Sequence, residues 1–138
     1  MALSTAIYTI LKNNSTISTA FSTRIYPGIA VREPVLPCIV YDIGNIIPDP
    51  NATSDLNWDR VDVEVTVIAL EYSDAETYAT NVRSALSRYI GTVDTEKINT
   101  IVFEGMSPGY DPDFTYSGST TGMGVFTRTC NFTLIRTG

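Results

Sequence analysis

Histidine is absent from this chain of 138 residues, and lysine occurs only twice, at Lys12 and Lys97. The missing imidazole removes the side chain most often used as a general base near neutral pH and as a metal ligand. A nucleophile–histidine pair, CxxC, HExxH and a glycine-rich phosphate loop are absent as well. We therefore expect no enzymatic activity: no catalytic residue, no cofactor-binding residue, no cofactor and no metal site.

Positive charge is also scarce. The formal net charge is −6, and Lys and Arg form no cluster. Because nonspecific binding to DNA or RNA depends on clustered cations, the composition disfavours it. No apolar run approaches the length of a membrane span, and the first residues lack the basic and apolar regions of a signal peptide. We expect a protein that is made in a cytosol and stays there, without a membrane partner.

Cysteine occurs at two positions far apart in the sequence, Cys38 and Cys130, each inside an apolar segment. A free cysteine packs as a small hydrophobe, which favours two reduced thiols in the core. A disulfide requires that the strands carrying them lie close together, and that alternative stays open at this point.

The clearest pattern is the alternation of side chains over residues 58–70, which is typical of a β-strand with one face on a core. The predicted core face consists of valines, and the predicted outward face is mostly charged and begins with Trp58. The valines are Val61, Val63, Val65 and Val67, and the outward charged residues are Arg60, Asp62 and Glu64.

A helical period follows this strand. An apolar stripe at helical spacing predicts a helix that begins near Ser73, where Glu76 completes a capping-box spacing, and that ends at Gly91. The stripe contains Ala75, Tyr78, Ala79, Val82, Ala85, Leu86, Tyr89 and Ile90.

The remaining patterns complete an α+β domain. We predict a helix at 3–11 with further helical turns at 15–21, an extended piece at 24–28, and strands at 37–47, 98–104 and 124–135. The expected architecture is one compact domain over residues 1–138. It contains a largely antiparallel sheet of four to five strands, flanked by two main helices in the order α-β-β-β-α-β-β. Long loops are expected at about 44–57 and 105–124, and loops of that length are usually functional or disordered.

Two carboxylate pairs are the remaining candidates for chemistry. Asp62 and Glu64 share one strand face, which suits a cation or acid–base work, but the interleaved Arg60 favours an ordinary solvated face. Asp111 and Asp113 lie in a sequence that favours a turn over a metal loop. Trp58, at the start of its strand, is either an exposed contact residue, since tryptophan is enriched in interface anchors, or a partly buried core residue, and the core interpretation is favoured.

Several segments, in order, resemble one protein family. They are the N-terminal helix, Arg24-Ile25-Tyr26-Pro27, Leu36-Pro37-Cys38-Ile39-Val40-Tyr41, Arg60-Val61-Asp62-Val63-Glu64-Val65, the long helix, Tyr110-Asp111-Pro112-Asp113 and residues 126–134. Together they resemble the tail-terminator proteins of long-tailed bacteriophages and gene-transfer particles, also called tail-completion or tail-to-head joining proteins. Two departures are Cys38, where an aromatic residue is more usual, and an apparent insertion at residues 114–123.

The resemblance implies a structural virion protein of the tail or neck, assembled in the host cytoplasm. It implies a ring, typically a homohexamer, that caps the tail tube, stops its polymerisation and joins the head. The implied partners are further copies of the chain, the tail tube protein and a head-completion or neck protein. DNA would pass through the lumen without specific binding.

Three alternatives remain: a head-completion adaptor or stopper, a tail-tube subunit and, with least support, a small cytosolic enzyme that uses carboxylates. The candidate contacts with other subunits, the tube or the neck come from the outward strand face and the two long loops. They are Asp49, Trp58, Arg60, Asp62, Glu64, Tyr110, Asp111, Asp113, Phe114 and Tyr116.

Overall fold

The computed structural model describes residues 3–28, 35–48, 58–93, 96–112, 114 and 124–137. Three helices and six strands are found in these ranges. In chain order they are α1 (Leu3–Asn13), α2 (Ser15–Phe21), β1 (Ile25–Pro27), β2 (Cys38–Pro48), β3 (Trp58–Ala69), α3 (Tyr72–Leu86), β4 (Gly91–Val93), β5 (Glu96–Asp111) and β6 (Val125–Thr137).

The strands form one sheet in the order β1-β2-β3-β6-β5-β4. All neighbours are antiparallel except β1 and β2, which run parallel. The α+β class is confirmed, whereas the prediction of four to five antiparallel strands and its element order are wrong in detail. β1 and β4 have three residues each, too few for a period of two to be visible in the sequence.

The helices cover one face of the sheet and enclose the core with it. The valine face of β3 is buried as predicted, and β6 contributes Phe132 and Leu134 beside it. From the helices, Ile7 of α1 and Val82 of α3 are fully buried in the same cluster. Removal of this apolar surface from water is the main stabilising contribution to the fold.

β5 is much longer than the predicted strand at 98–104. It pairs with β6 from Lys97 opposite Thr137 to Asp111 opposite Val125. Residues 105–111, predicted as loop, are therefore strand; their glycines and proline hide the alternation. β2 likewise continues to Pro48 after a register shift between Ile43 and Ile46. The rest of the two predicted loops, residues 49–57, 113 and 115–123, lies outside the described residues.

α3 differs from its prediction at both ends. It begins at Tyr72 after Glu71, no side chain caps it, and Ser73 lies within its first turn. It ends at Leu86 rather than at Gly91. Arg88 adopts a left-handed conformation, with φ 63°, and its backbone N–H donates to the Ile101 carbonyl at 2.7 Å. This bond turns the chain into β4, so that Ile90 is 75% exposed instead of joining the apolar stripe.

The two cysteines are free and fully buried, as predicted. Cys38 lies opposite Ile68 and Cys130 opposite Val65, so they occupy opposite faces of the sheet and form no disulfide. Burial raises the pKa of each thiol to about 11, although Arg24 near Cys38 and Arg83 near Cys130 oppose this shift. None of the helices in the described ranges is long and apolar enough to cross a membrane.

Candidate interaction surfaces

The sheet face opposite the helices carries a cluster of carboxylates, which we call the acidic groove. It is formed by Asp42 of β2, Asp62 and Glu64 of β3, and Glu104 of β5, and it has a volume of about 270 Å³. Asp42 lies directly opposite Glu64. All four carboxylates are exposed.

Local structure explains why these side chains converge. The alternation of β3 places Asp62 and Glu64 on one face, two residues apart. Gly44 lies beside them in the irregular part of β2, where an added Cβ would be only 3.2 Å from the Asp62 Cβ. Glu104 occupies the register shift between Phe103 and Gly105 in β5. The irregular strands β2 and β5 thus lie on either side of the two central strands, β3 and β6, which pair without a register shift.

The acidic groove is not neutralised within the described part of the chain. The ion pairs found there involve Arg128 and Arg136 with other carboxylates. Arg60 is exposed on the same strand face and pairs with none of the groove residues. In the described ranges, no group of three or more cysteine or acidic side chains is arranged to hold a metal ion. The four carboxylates give the acidic groove a collective negative field, which attracts cations and repels polyanions.

A small apolar cluster occupies the end of the same face where β2 begins. Cys38, Ile68 and Val125 are buried there, and Phe114 packs against them. Phe114, a predicted contact residue, is thus partly buried within its own chain.

An aromatic corner lies where β3 leads into α3. The Phe126 ring is 5.0 Å from that of Tyr110 and 5.7 Å from that of Tyr72, measured between centroids. The Arg128 guanidinium lies 4.9 Å from the Tyr72 centroid and 3.9 Å from a Glu76 carboxylate oxygen. Tyr72 and Tyr110 are 53% and 54% exposed, so the corner offers apolar surface to solvent.

Residues of the resembling motifs also have structural roles. The Arg24 guanidinium donates to the Pro37 and Ala20 carbonyls at 2.9 and 3.0 Å, which joins α2 to the segment before β2. The Tyr41 hydroxyl donates to the Ser4 carbonyl at 2.8 Å and joins β2 to α1. Burial, and secondarily the neighbouring Tyr8, raises the pKa of Tyr41.

The structure brings some predicted contact residues together and separates others. Arg60, Asp62 and Glu64 share the outward face, whereas Tyr110 and Asp111 lie at the exposed end of β5. The Trp58 backbone begins β3. The Trp58 side chain and residues Asp49, Asp113 and Tyr116 lie outside the described residues.

Two groove residues, Asp42 and Glu104, were missed by sequence reasoning. Asp42 follows from the alternation of β2 once its register against β3 is known. Glu104 lies at an irregularity that breaks the alternation of β5, so no periodic signal could have placed it.

Comparison with known proteins agrees with the resemblance. The family model described as Tail completion protein gp17 matches residues 5–121. A chain in a solved structure titled "Virion of native gene transfer agent (GTA) particle" has a TM-score of 0.68 and 13% sequence identity, over 98% of this chain and 95% of that chain. At this identity the second likeness shows a shared fold. No curated protein sequence matches the chain.

The family match covers most of the chain, including the N-terminal helices, the acidic groove and α3. This chain belongs to the tail completion protein gp17 family and is a structural, non-enzymatic protein of the tail and neck region of a phage virion.

Proposed function

We propose that six copies of this chain form a closed ring that caps the finished tail tube, ends its polymerisation and provides the surface that joins the head. The observation that carries this proposal is the tail-completion family match over residues 5–121. A ring needs a head-to-tail interface between two different surfaces of the subunit, with a rotation that closes on itself.

The two faces of the sheet suit an inner and an outer wall. The helices cover one face, and in the described part of the chain the other face has no helix over it. With the uncovered face inward, the acidic groove of every subunit lines the channel. Double-stranded DNA carries one negative charge per about 1.7 Å of its axis, so a negative wall lets it pass without binding.

The predicted contact residues fall toward opposite ends of the sheet. Trp58 is opposite Thr137 at one end, and Tyr110 is opposite Phe126 at the other. In a ring with strands inclined to its axis, these ends meet different partners: the tail tube protein at one rim and a head-completion or neck protein at the other. Asp111 belongs with the Tyr110 rim, because it is opposite Val125 at the same end of the sheet.

Electron microscopy of the purified protein mixed with tail tubes tests this function. We expect a six-subunit ring at one tube end and no further elongation when tube subunits are added. Long tubes built from this chain alone would indicate a tube subunit instead. Binding to heads without binding to tubes would indicate a head-completion adaptor or stopper. A chain that stays monomeric with tubes present contradicts the proposal.

A further inference from the structure

Both lateral edges of the sheet are only partly paired. β1 pairs with residues 39–41 of β2, and β4 pairs with residues 96–98 of β5. One further bond, from the Arg88 N–H to the Ile101 carbonyl, reaches β5 beyond β4. Within the described ranges, the outward backbone edge of β2 is therefore open over residues 42–48, and that of β5 is open over residues 102–110.

The two open stretches are displaced along the strand direction. The open part of β2 lies beside residues 59–64, the first half of β3. The open part of β5 extends to Tyr110. Tyr110 is opposite Phe126 of β6, which in turn is opposite Ala69, the last residue of β3. The open edges are thus diagonal to each other across the sheet.

The diagonal placement determines how a second copy can approach. If the second copy lay alongside without a shift, its β1 would collide with residues 106–108 of β5 in the first copy. A shift of about six residues, roughly 20 Å at about 3.3 Å per residue, leaves β1 and β4 beyond the ends of the neighbouring strands. Four long strands about 4.8 Å apart are about 19 Å wide, so this shift corresponds to a strand tilt of about 45°, close to that of closed barrels.

Strand direction and side-chain orientation also agree with this register. β2 and β5 run in opposite directions in the sheet, so the two edges meet antiparallel. With the shift of about six residues, Ile47 lies opposite Ser107 and Ile43 lies opposite Tyr110. Each pair is on one sheet face: Ile47 and Ser107 on the acidic face, Ile43 and Tyr110 on the helix face. A slip by one residue would break this match.

The chemistry of the two edges favours contact. Residues 43–48 and 105–110 contain no charged side chain, although natural edge strands are often protected from pairing by charges. Ile46 and Ile47 are 48% and 50% exposed, and Tyr110 is 54% exposed. Pro48 and Pro108 lack an N–H, which limits the ladder to a few backbone bonds. Burial of the apolar side chains supplies the rest of the contact.

We infer that neighbouring subunits of the ring meet edge to edge, residues 43–48 of one copy pairing antiparallel with residues 106–110 of the next. The partner is a second copy of this chain, and the inference rests on the proposed function. The sheets then join into one staggered wall with the acidic groove on a single side. Because the two edges differ, the contact is head-to-tail, which is the type of interface that a closed ring requires.

Engineered disulfides test the register. The variant carrying Ile47→Cys and Ser107→Cys places two exposed thiols on the open edges. Within one chain these positions are three strand spacings apart, about 14 Å, too far for an internal bond. The native cysteines are buried and stay reduced. Mild oxidation of the assembled protein should give a ladder of covalent oligomers that ends at the ring size.

The matched control carries Ile47→Cys and Val102→Cys. Val102 is also exposed on β5 and on the same face, but it lies five residues before Ser107, nearer the start of the strand. It should give no ladder. A ladder from the control alone overturns the register. Rings visible by microscopy without a ladder from either variant overturn the edge contact and leave the proposed function standing. Failure to form rings even with tubes overturns both.

A substitution gives a second test that does not need a disulfide. Ile47→Lys adds a charge to the open edge of β2, which should raise the concentration needed for assembly at least tenfold. Leu70→Lys is the control, because Leu70 is 44% exposed and lies on neither edge. Both monomers should unfold at the same urea concentration as the unmodified chain. Equal assembly by the two variants overturns the inference.

Discussion

At the scale of single residues, Arg136 forms ion pairs with two carboxylates on different strands. Its guanidinium lies 3.1 Å from an Asp59 oxygen and 3.2 Å from a Glu96 oxygen, and the side chains of all three residues are less than a quarter exposed. These bonds join β3, β5 and β6 at the end of the sheet where β6 terminates. Removal of the cation leaves two partly buried carboxylates without their partner.

We therefore expect Arg136→Ala to lower the free energy of unfolding by about 1.5–3 kcal/mol, as for hydrogen bonds to charged groups. Urea unfolding followed by circular dichroism measures the change. Arg60→Ala is the control, since Arg60 is exposed and makes no ion pair in the described part of the chain, and it should stay within about 0.5 kcal/mol. Equal effects of the two substitutions would show that the Arg136 contacts contribute nothing specific.

The buried thiols predict a pH dependence. Their pKa is about 11 in the folded chain against an ordinary 9.0. As the pH rises, the thiols of the folded state therefore stay protonated to a higher pH than those of the unfolded state. The free energy of unfolding that each protonated thiol contributes is fully present below pH 9. It is lost as the pH rises toward 11, by up to about 2.7 kcal/mol for each thiol. Cys130→Ala should lose less stability than the unmodified chain between pH 8 and pH 10.5. An equal loss of stability by the two proteins over this pH range would contradict this prediction.

At the scale of elements, the helix ends make a matched pair. The Asn14 side-chain oxygen accepts from the Thr16 and Ile17 N–H groups at 3.1 and 3.2 Å and caps α2. Ser73, predicted as the cap of α3, lies inside the helix, which has no side-chain cap. We expect Asn14→Ala to cost about 0.5–2 kcal/mol of unfolding free energy and Ser73→Ala less than about 0.5. Thermal unfolding measures both, and a larger cost at Ser73 would restore the predicted capping box.

How far an element was predictable depended on its periodicity. β3 and the body of α3 were found because each buries one face, and a buried face leaves a period of two or of 3.6 residues in the sequence. The C-terminal part of β5 was missed because residues 105–110 have neither a buried face nor strong strand propensity. They are extended because β6 pairs with them. Pairing with a distant strand leaves no local signal.

At the scale of the whole molecule, the acidic groove predicts an effect on DNA transport that depends on the proposed ring. Particles assembled with Asp62→Lys and Glu64→Lys should form tails in normal number but deliver DNA at least tenfold less well, because a positive wall retains the polyanion. Glu71→Lys with Asp74→Lys makes the same change of charge on exposed residues near the start of α3. Delivery should be unaffected there.

Tail counts by electron microscopy, together with the fraction of recipient cells that receive DNA, separate failed assembly from failed transport. Equal delivery by the two variants would place the acidic groove away from the channel.

The placement of the candidate contact residues in the fold was predictable in part. Arg60, Asp62 and Glu64 were placed on one outward face by alternation alone, and the structure agrees. The convergence of Asp42 and Glu104 on that face required the strand order, because β2 and β5 are far apart in the sequence. The packing of Phe114 against Cys38 and Val125 required it as well.

By itself, the sequence determined that the chain has an α+β fold with a valine core and lacks the common catalytic groups, because burial and missing side chains are visible residue by residue. The tertiary structure alone decided that β1 adds a parallel strand, that β5 extends to Asp111, and that two stretches of strand edge have no partner strand among the described residues. Backbone pairing between distant segments depends on where the chain returns to, and local composition does not encode that.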